Sequence, residues 1–224
     1  MVWQSLKSFE DKYNQFVSER REPPNDVWAT DSSHAFREGF AAIRCARNIG
    51  ARSLRINPKD ANAPDIDIKL RSGGVISFQE TLADFKGRRM AQEHREWRAA
   101  GYPMRSGPAE AWMARRQEVG PAITRAIDLK ASRGYPPQTR LLLNLNLGTY
   151  GEWREEIEAD IVRFCARGLQ WFASIWVLWE GRLYRAAPNP FLGSPGMFRP
   201  RSSVQLGNWR NHTPIRMLFD DGLI

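Results

Sequence analysis

Apolar residues recur at helical spacing in several stretches of this chain. The apolar side chains of residues 5–18 fall on one stripe, which predicts an amphipathic first helix. A second helix is predicted over residues 33–48, where Glu38 shares one side with small apolar residues, so that both faces of the helix can be packed. Helical patterns also cover residues 88–100, 109–132 and 151–168.

Short apolar runs between these helices predict β-strands. The runs cover residues 52–57, 65–70, 75–82, 140–148, 172–180 and 182–187. The RSGG sequence at 71–74 predicts a hairpin that joins two of them. The apolar run LLLNLNL within 140–148 predicts an interior strand beside that hairpin. The alternation of helices and strands therefore predicts an α/β fold, with a central mixed sheet flanked by helices.

The length and composition predict one globular domain. The 224 residues are 42% hydrophobic and 26% charged, which is ordinary for a chain that buries a core. We expect residues 1–187 to form a single α/β domain, and residues 188–224, which are rich in Pro, Gly and Arg, to pack irregularly on it. No apolar run approaches the ~20 residues of a membrane span, and two cysteines are too few for a disulfide framework. These features predict a cytoplasmic protein without membrane association.

The charge balance favours a nucleic-acid partner. The chain has 33 Lys and Arg residues against 25 Asp and Glu residues, a net charge of +8, and only six of the basic residues are lysines. The planar guanidinium of arginine suits phosphate binding. A genome rich in G and C would give the same arginine excess without any binding role, so composition leaves both explanations open.

The order of the predicted elements resembles the PD-(D/E)XK nuclease superfamily, whose restriction-endonuclease-like core runs αβββαβ. The resemblance covers residues 33–147: a helix with the lone acid Glu38, a strand, a strand opened by Pro64-Asp65, a strand that contains Phe78-Gln79-Glu80-Thr81, a helix and a strand. The FQETL sequence is similar to a bacterial branch in which Gln or Glu, followed two places later by Thr, replaces the usual Glu-x-Lys motif. The resemblance implies a nuclease or nuclease-like protein that acts on DNA.

Hydrolysis of a phosphodiester by such a site needs one or two divalent cations, Mg²⁺ or Mn²⁺, held by hard oxygen ligands. Asp65 and Glu80 form the natural carboxylate pair, because opposed residues of a hairpin lie close together. Strand alternation, however, places Gln79 and Thr81 on one face and Glu80 on the other. The superfamily pattern aligns Gln79 with the second acid and Thr81 with the lysine, whereas a bulge at Glu80 would restore a carboxylate ligand.

In either alignment the motif lysine is missing. Lys86, just beyond the motif, and Lys130, on the following helix, could reach back into the site, and Lys69 is a weaker candidate because it lies far along its strand from Asp65. In the superfamily Glu38 corresponds to an acid that binds a second metal ion or holds a metal-bound water.

Three functions therefore remain open. The first is a Mg²⁺-dependent endonuclease with catalytic residues Glu38, Asp65, Gln79, Glu80, Thr81 and Lys86. The second is a degenerate relative that binds nucleic acid or a protein partner without cleavage, which the lost lysine favours. The third is a protein-interaction module, in which the arginine excess only reflects codon bias. Independently of these functions, Asp65 next to Pro64 could simply form a turn, and Glu80 could be a solvated strand residue.

Overall fold

The computed structural model describes residues 2–19, 34–58, 63–87, 109–149 and 152–188. The helix predicted over 88–100 and the C-terminal tail from residue 189 onward lie outside these residues. Four helices and seven strands form within them: β1 (Gln4–Ser5), α1 (Leu6–Ser18), α2 (His34–Asn48), β2 (Ala51–Ile56), β3 (Ile66–Leu70), β4 (Val75–Ala83), α3 (Ala109–Ala131), β5 (Arg140–Leu145), α4 (Arg154–Gly168), β6 (Ser174–Trp179) and β7 (Arg182–Ala186).

The seven strands form one mixed sheet in the order β1-β2-β3-β4-β5-β6-β7. The pairs β1–β2, β2–β3 and β3–β4 are antiparallel, the pairs β4–β5 and β5–β6 are parallel, and β7 returns antiparallel to β6. The predicted α/β class, the 65–82 hairpin and the interior position of β5 are confirmed. The two-residue strand β1 was not predicted, because so short a segment has no period of its own and is defined only by its pairing with β2.

Helices cover the sheet on both faces and create two apolar layers. On one face, α3 and α4 pack on alternate residues of the parallel strands, including Leu141, Leu143 and Val177. On the other face, the small side chains of α2 pack on Ile66, Phe78 and other buried strand residues. Because successive strand residues point to opposite faces, β4 contributes Phe78 to the second layer and Ala83 to the first.

A buried carboxylate ties together the three antiparallel strands next to the parallel part of the sheet. Asp67 on β3 accepts hydrogen bonds from Arg55 and Asn57, at 2.9 Å each, and from Ser77 on β4. Burial by itself would raise the pKa of Asp67, but these hydrogen bonds and the charge of Arg55 outweigh it and hold that pKa below its ordinary value. The network fixes the register of β2, β3 and β4 on the face opposite α2.

The two cysteines are free thiols in different layers. Cys45 on α2 and Cys165 on α4 are fully buried, and burial raises the pKa of both. Both act as small apolar core residues. Separately, none of the helices within the described ranges is both long and apolar enough to cross a membrane.

The end of α4 lies so close to the sheet that only glycine fits there. A Cβ atom at Gly168 would lie 2.3 Å from Cδ1 of Ile175 and 3.0 Å from Cγ2 of Ile127, and both isoleucines are buried. We therefore expect Gly168→Ala to lower the free energy of unfolding by about 1–3 kcal/mol, the usual cost of overpacking. Urea denaturation followed by circular dichroism measures the change.

Gly74→Ala provides the control for this prediction. Gly74 lies in the β3–β4 turn, and a Cβ atom there would meet nothing within 4 Å. A Gly168→Ala variant as stable as Gly74→Ala would contradict the close packing of α4 on β6.

Candidate functional site

The candidate site lies where β3 and β4 separate. The pairing of these strands ends at Ile66 and Phe78, whereas β4 continues to Ala83 along β5. At this point the Oδ2 atom of Asp65 accepts a hydrogen bond of 2.7 Å from the backbone N–H of Glu80. The carboxylate thus takes the place of a strand partner and fixes Asp65 beside the middle of β4.

A lysine from α3 completes the site on one face of the sheet. Lys130 Nζ lies 3.3 Å from Oδ2 of Asp65 and 3.4 Å from Oε1 of Gln79. The amide group of Gln79 is itself held, because its Nε2 atom donates to the carbonyl of Ala63. Lys130 is only 6% exposed, so its ammonium group is directed inward by its position on the buried side of α3.

Glu80 occupies the opposite face of β4, next to α2. On β4, Glu80 lies two residues after Phe78 and therefore on the same face of the strand. On α2, Glu38 lies one turn before the small apolar residues that belong to the same buried cluster as Phe78. Glu38 is 9% exposed. The Oε1 atom of Glu80 is inaccessible to solvent and has no hydrogen-bond partner among the described residues.

This environment raises the pKa of Glu80 to about 7. The largest cause is burial, followed by repulsion from Glu38; Lys130 and Arg37 lower the pKa, and Asp65 raises it. The carboxyl group of Glu80 is therefore close to half-ionised at neutral pH. A partly buried acid with a perturbed pKa and an oxygen that no described residue pairs with is typical of functional sites.

Four of the predicted site residues lie near one another in the structure: Glu38, Asp65, Gln79 and Glu80. Thr81 is buried on the face of β4 that carries Gln79. The pairing of β4 with β5 runs without interruption through Glu80, so there is no bulge at this residue. The carboxylate of Glu80 consequently stays on the face opposite Gln79.

The three candidate lysines have different positions. Lys130 contacts Asp65, as described. Lys86 is exposed in the turn after β4 and forms no hydrogen bond or ion pair with another described residue. Lys69 pairs with Val75 at the far end of the hairpin.

The donor set fits a small hard cation better than a soft metal. Within the described residues, no group of three or more His, Cys, Asp and Glu side chains lies close enough to hold a metal ion. Mg²⁺ is nevertheless commonly bound by one or two carboxylates, with water and substrate phosphate as the other ligands. Asp65 and Glu80 are the candidate carboxylates for such an ion, since neither Oε1 of Glu80 nor Oδ1 of Asp65 accepts a hydrogen bond from a described residue.

Two residues of this site were less evident from sequence. Lys130 follows Ile123, Ala126 and Ile127 at helical spacing, and a lysine on such a buried stripe is the signal that favours it over Lys86. Arg37 offered no signal of its own, because its relation to Glu80 depends on how α2 lies on the sheet.

Comparisons with models of protein families, with curated proteins and with solved structures found no match to this chain.

Proposed function

We propose that this chain is a metal-dependent phosphodiesterase that acts on DNA, with a restriction-endonuclease-like core formed by α2, β2, β3, β4, α3 and β5. These elements follow the αβββαβ order of the PD-(D/E)XK superfamily. The observation that carries the proposal is a buried oxygen of Glu80 that lacks a hydrogen-bond partner within the described ranges, on a residue whose backbone N–H binds Asp65, with a buried lysine on the other side of the strand.

Each residue has a distinct role in this proposal. Asp65 and Glu80 hold Mg²⁺ or Mn²⁺, which would neutralise the scissile phosphate and lower the pKa of an attacking water. Lys130 takes the part of the missing motif lysine and stabilises the negative charge that develops on the phosphate. The side-chain amide of Gln79 accepts a hydrogen bond from Lys130 and donates one to the carbonyl of Ala63, which holds the lysine in place. Glu38 orients water on the α2 side.

One observation favours a second candidate, a nucleic-acid-binding protein that does not cleave. Gln79 is neutral where the superfamily has an acid, and the ammonium group of Lys130 already lies between Asp65 and Gln79. The charge of Asp65 is thereby balanced without a metal ion. A site in that state can bind a phosphate backbone through its cations and lack the ligands for catalysis.

The test is incubation of the purified chain with single-stranded and duplex DNA and RNA. We expect cleavage of DNA with Mg²⁺ or Mn²⁺ and none after addition of EDTA. Cleavage that persists in EDTA would overturn the metal-dependent mechanism. Binding of DNA without cleavage under any of these conditions would support the second candidate.

The role of Lys130 is tested by Lys130→Met, which keeps the aliphatic bulk and removes the charge. We expect the rate of DNA cleavage to fall by about 10²–10³, the usual loss when a charge-stabilising group is removed. Lys86→Met is the matched control, since Lys86 is exposed, and it should keep the wild-type rate. The opposite ranking of the two variants would assign the missing cation to Lys86.

A further inference from the structure

The N-terminal part of α2 places an arginine near the candidate site. Arg37 directly precedes Glu38, and together they continue the side of α2 on which Ala41 and Ala42 pack against the sheet. On β4, the face that carries Phe78 continues in the same direction to Glu80. The packed faces of α2 and β4 are thus apolar along most of their length and become charged at one end, at Arg37 and Glu38 on the helix and at Glu80 on the strand.

Arg37 is a further basic group near the candidate site. It is half-buried, and no hydrogen bond or ion pair joins it to another described residue. It is nevertheless close enough to Glu80 to lower the pKa of that carboxyl group. No guanidinium nitrogen of Arg37 is among the buried, unpaired side-chain atoms of the described residues, so donors of this side chain that face solvent can bind a ligand in place of water.

The charges around Glu80 also favour an anionic ligand once a metal ion is bound. Three carboxylates, Glu38, Asp65 and Glu80, face two cations, Arg37 and Lys130. One divalent cation reverses the sign of this group from net negative to net positive. Because Arg37 belongs to a helix on one face of the sheet and Lys130 to a helix on the other, the two cations approach β4 from opposite sides.

We propose that Arg37 binds a backbone phosphate of the DNA substrate, on the α2 side of the site, while Lys130 acts from the α3 side. This inference rests on the proposed phosphodiesterase function and adds the residue that positions the strand. The planar fork of arginine can bind two oxygens of one phosphate. Arg37 is thus a positioning residue for the substrate backbone, and it carries no information about base sequence.

The test measures binding separately from cleavage. Fluorescence anisotropy with fluorescein-labelled 20-nucleotide single-stranded DNA and a 20-base-pair duplex gives the Kd of the wild type, Arg37→Gln and Arg37→Lys in Ca²⁺, and a gel confirms that the probe stays intact. We expect Arg37→Gln to raise Kd about 10-fold or more, the value typical of one charge-assisted hydrogen-bond pair. The slope of log Kd against log salt should fall by about 1, and Arg37→Lys should lie between the two.

Arg71→Gln is the matched control, because Arg71 is exposed in the β3–β4 turn at the other end of the hairpin. We expect its Kd to stay within about twofold of the wild type. Equal effects of Arg37→Gln and Arg71→Gln would overturn the inference, as would a wild type that binds neither probe. Should Arg37→Gln fail to fold, a wild-type Kd in Arg37→Lys would also overturn it, since lysine lacks the bidentate fork.

The outcomes separate this inference from the proposed function. A wild type that binds DNA through Arg37 without cleaving it would support the inference and contradict the phosphodiesterase. Normal cleavage with an unchanged KM in Arg37→Gln would support the phosphodiesterase and contradict the role of Arg37 in binding the substrate.

Discussion

Asp65→Asn is expected to abolish both Mn²⁺ binding and DNA cleavage. The substitution keeps the shape of the side chain, and an asparagine oxygen can still accept the hydrogen bond from the N–H of Glu80. It removes the negative charge that a divalent cation needs and that opposes the ammonium group of Lys130. Loss of metal-assisted stabilisation amounts to several kcal/mol of barrier, so the rate should fall on the order of 10³-fold.

The stability of Asp65→Asn should change less than its activity. Lys130 is buried and loses its charged partner, which we expect to lower the free energy of unfolding by about 1–2 kcal/mol. Asp128→Asn is the matched control on the same helix as Lys130, because the Asp128–Arg167 pair has the same 3.3 Å separation but its side chains are 44% and 59% exposed, so solvent weakens it. Isothermal titration calorimetry with Mn²⁺ and a cleavage assay measure the two effects. Wild-type Mn²⁺ affinity in Asp65→Asn would remove Asp65 from the metal site.

Glu80→Gln is expected to stabilise the metal-free protein at alkaline pH. Groups on three elements determine the charge state of Glu80: Glu38 and Arg37 on α2, Lys130 on α3, and Asp65 before β3. Burial and the neighbouring acids raise its pKa from 4.5 to about 7. Ionised Glu80 is therefore less stable in the folded chain than in the unfolded chain, and a neutral amide avoids that cost.

The sign follows from the two pKa values. Below pH 4.5 the carboxyl group is protonated in both states and contributes no difference. As the pH rises from 4.5 to 7 the unfolded chain loses this proton first, so the folded chain loses stability over that range and no further above it. Since one pH unit corresponds to about 1.4 kcal/mol, the full penalty is about 3 kcal/mol at most.

The measurement is urea denaturation in EDTA at pH 4.5 and pH 8. We expect Glu80→Gln to be more stable than the wild type by up to about 3 kcal/mol at pH 8, and equally stable at pH 4.5. Glu156→Gln, an exposed position on α4, should change stability by less than about 0.5 kcal/mol at either pH. Mn²⁺ at pH 8 should stabilise the wild type and leave Glu80→Gln unaffected. A variant destabilised at pH 8 in EDTA would contradict the position of Glu80 Oε1, which is buried and has no hydrogen-bond partner in the part of the chain that the structure describes.

Periodicity was sufficient to predict most elements of the described fold. The helices and strands follow from alternating or helically spaced apolar residues, because such patterns can be buried in only one way. The segment LLLNLNL predicted an interior strand, and β5 indeed lies between β4 and β6. The ends of elements were less accurate. The strand predicted over 140–148 ends at Leu145, because its partner β4 ends at Ala83, whose carbonyl accepts a hydrogen bond from the N–H of Asn146.

Alternation along β4 also determined which residues share a face. It predicted that Gln79 and Thr81 lie opposite Glu80, and the uninterrupted pairing of β4 with β5 agrees. Local sequence carries this information because successive strand residues point to opposite sides of the sheet. Alternation did not select the acids of the candidate site: Glu38 lies on a helix and Asp65 precedes β3, and both were chosen from the resemblance to a nuclease superfamily.

Only the tertiary structure decided which cations join those acids. Lys86 is nearest to the motif in sequence, yet it is exposed, whereas Lys130, 65 residues from Asp65, forms the ion pair. Arg37 approaches Glu80 because α2 lies across the opposite face of the sheet. Both contacts depend on where a helix crosses a strand, and that position is determined by the packing of many apolar residues rather than by the spacing of the charged ones.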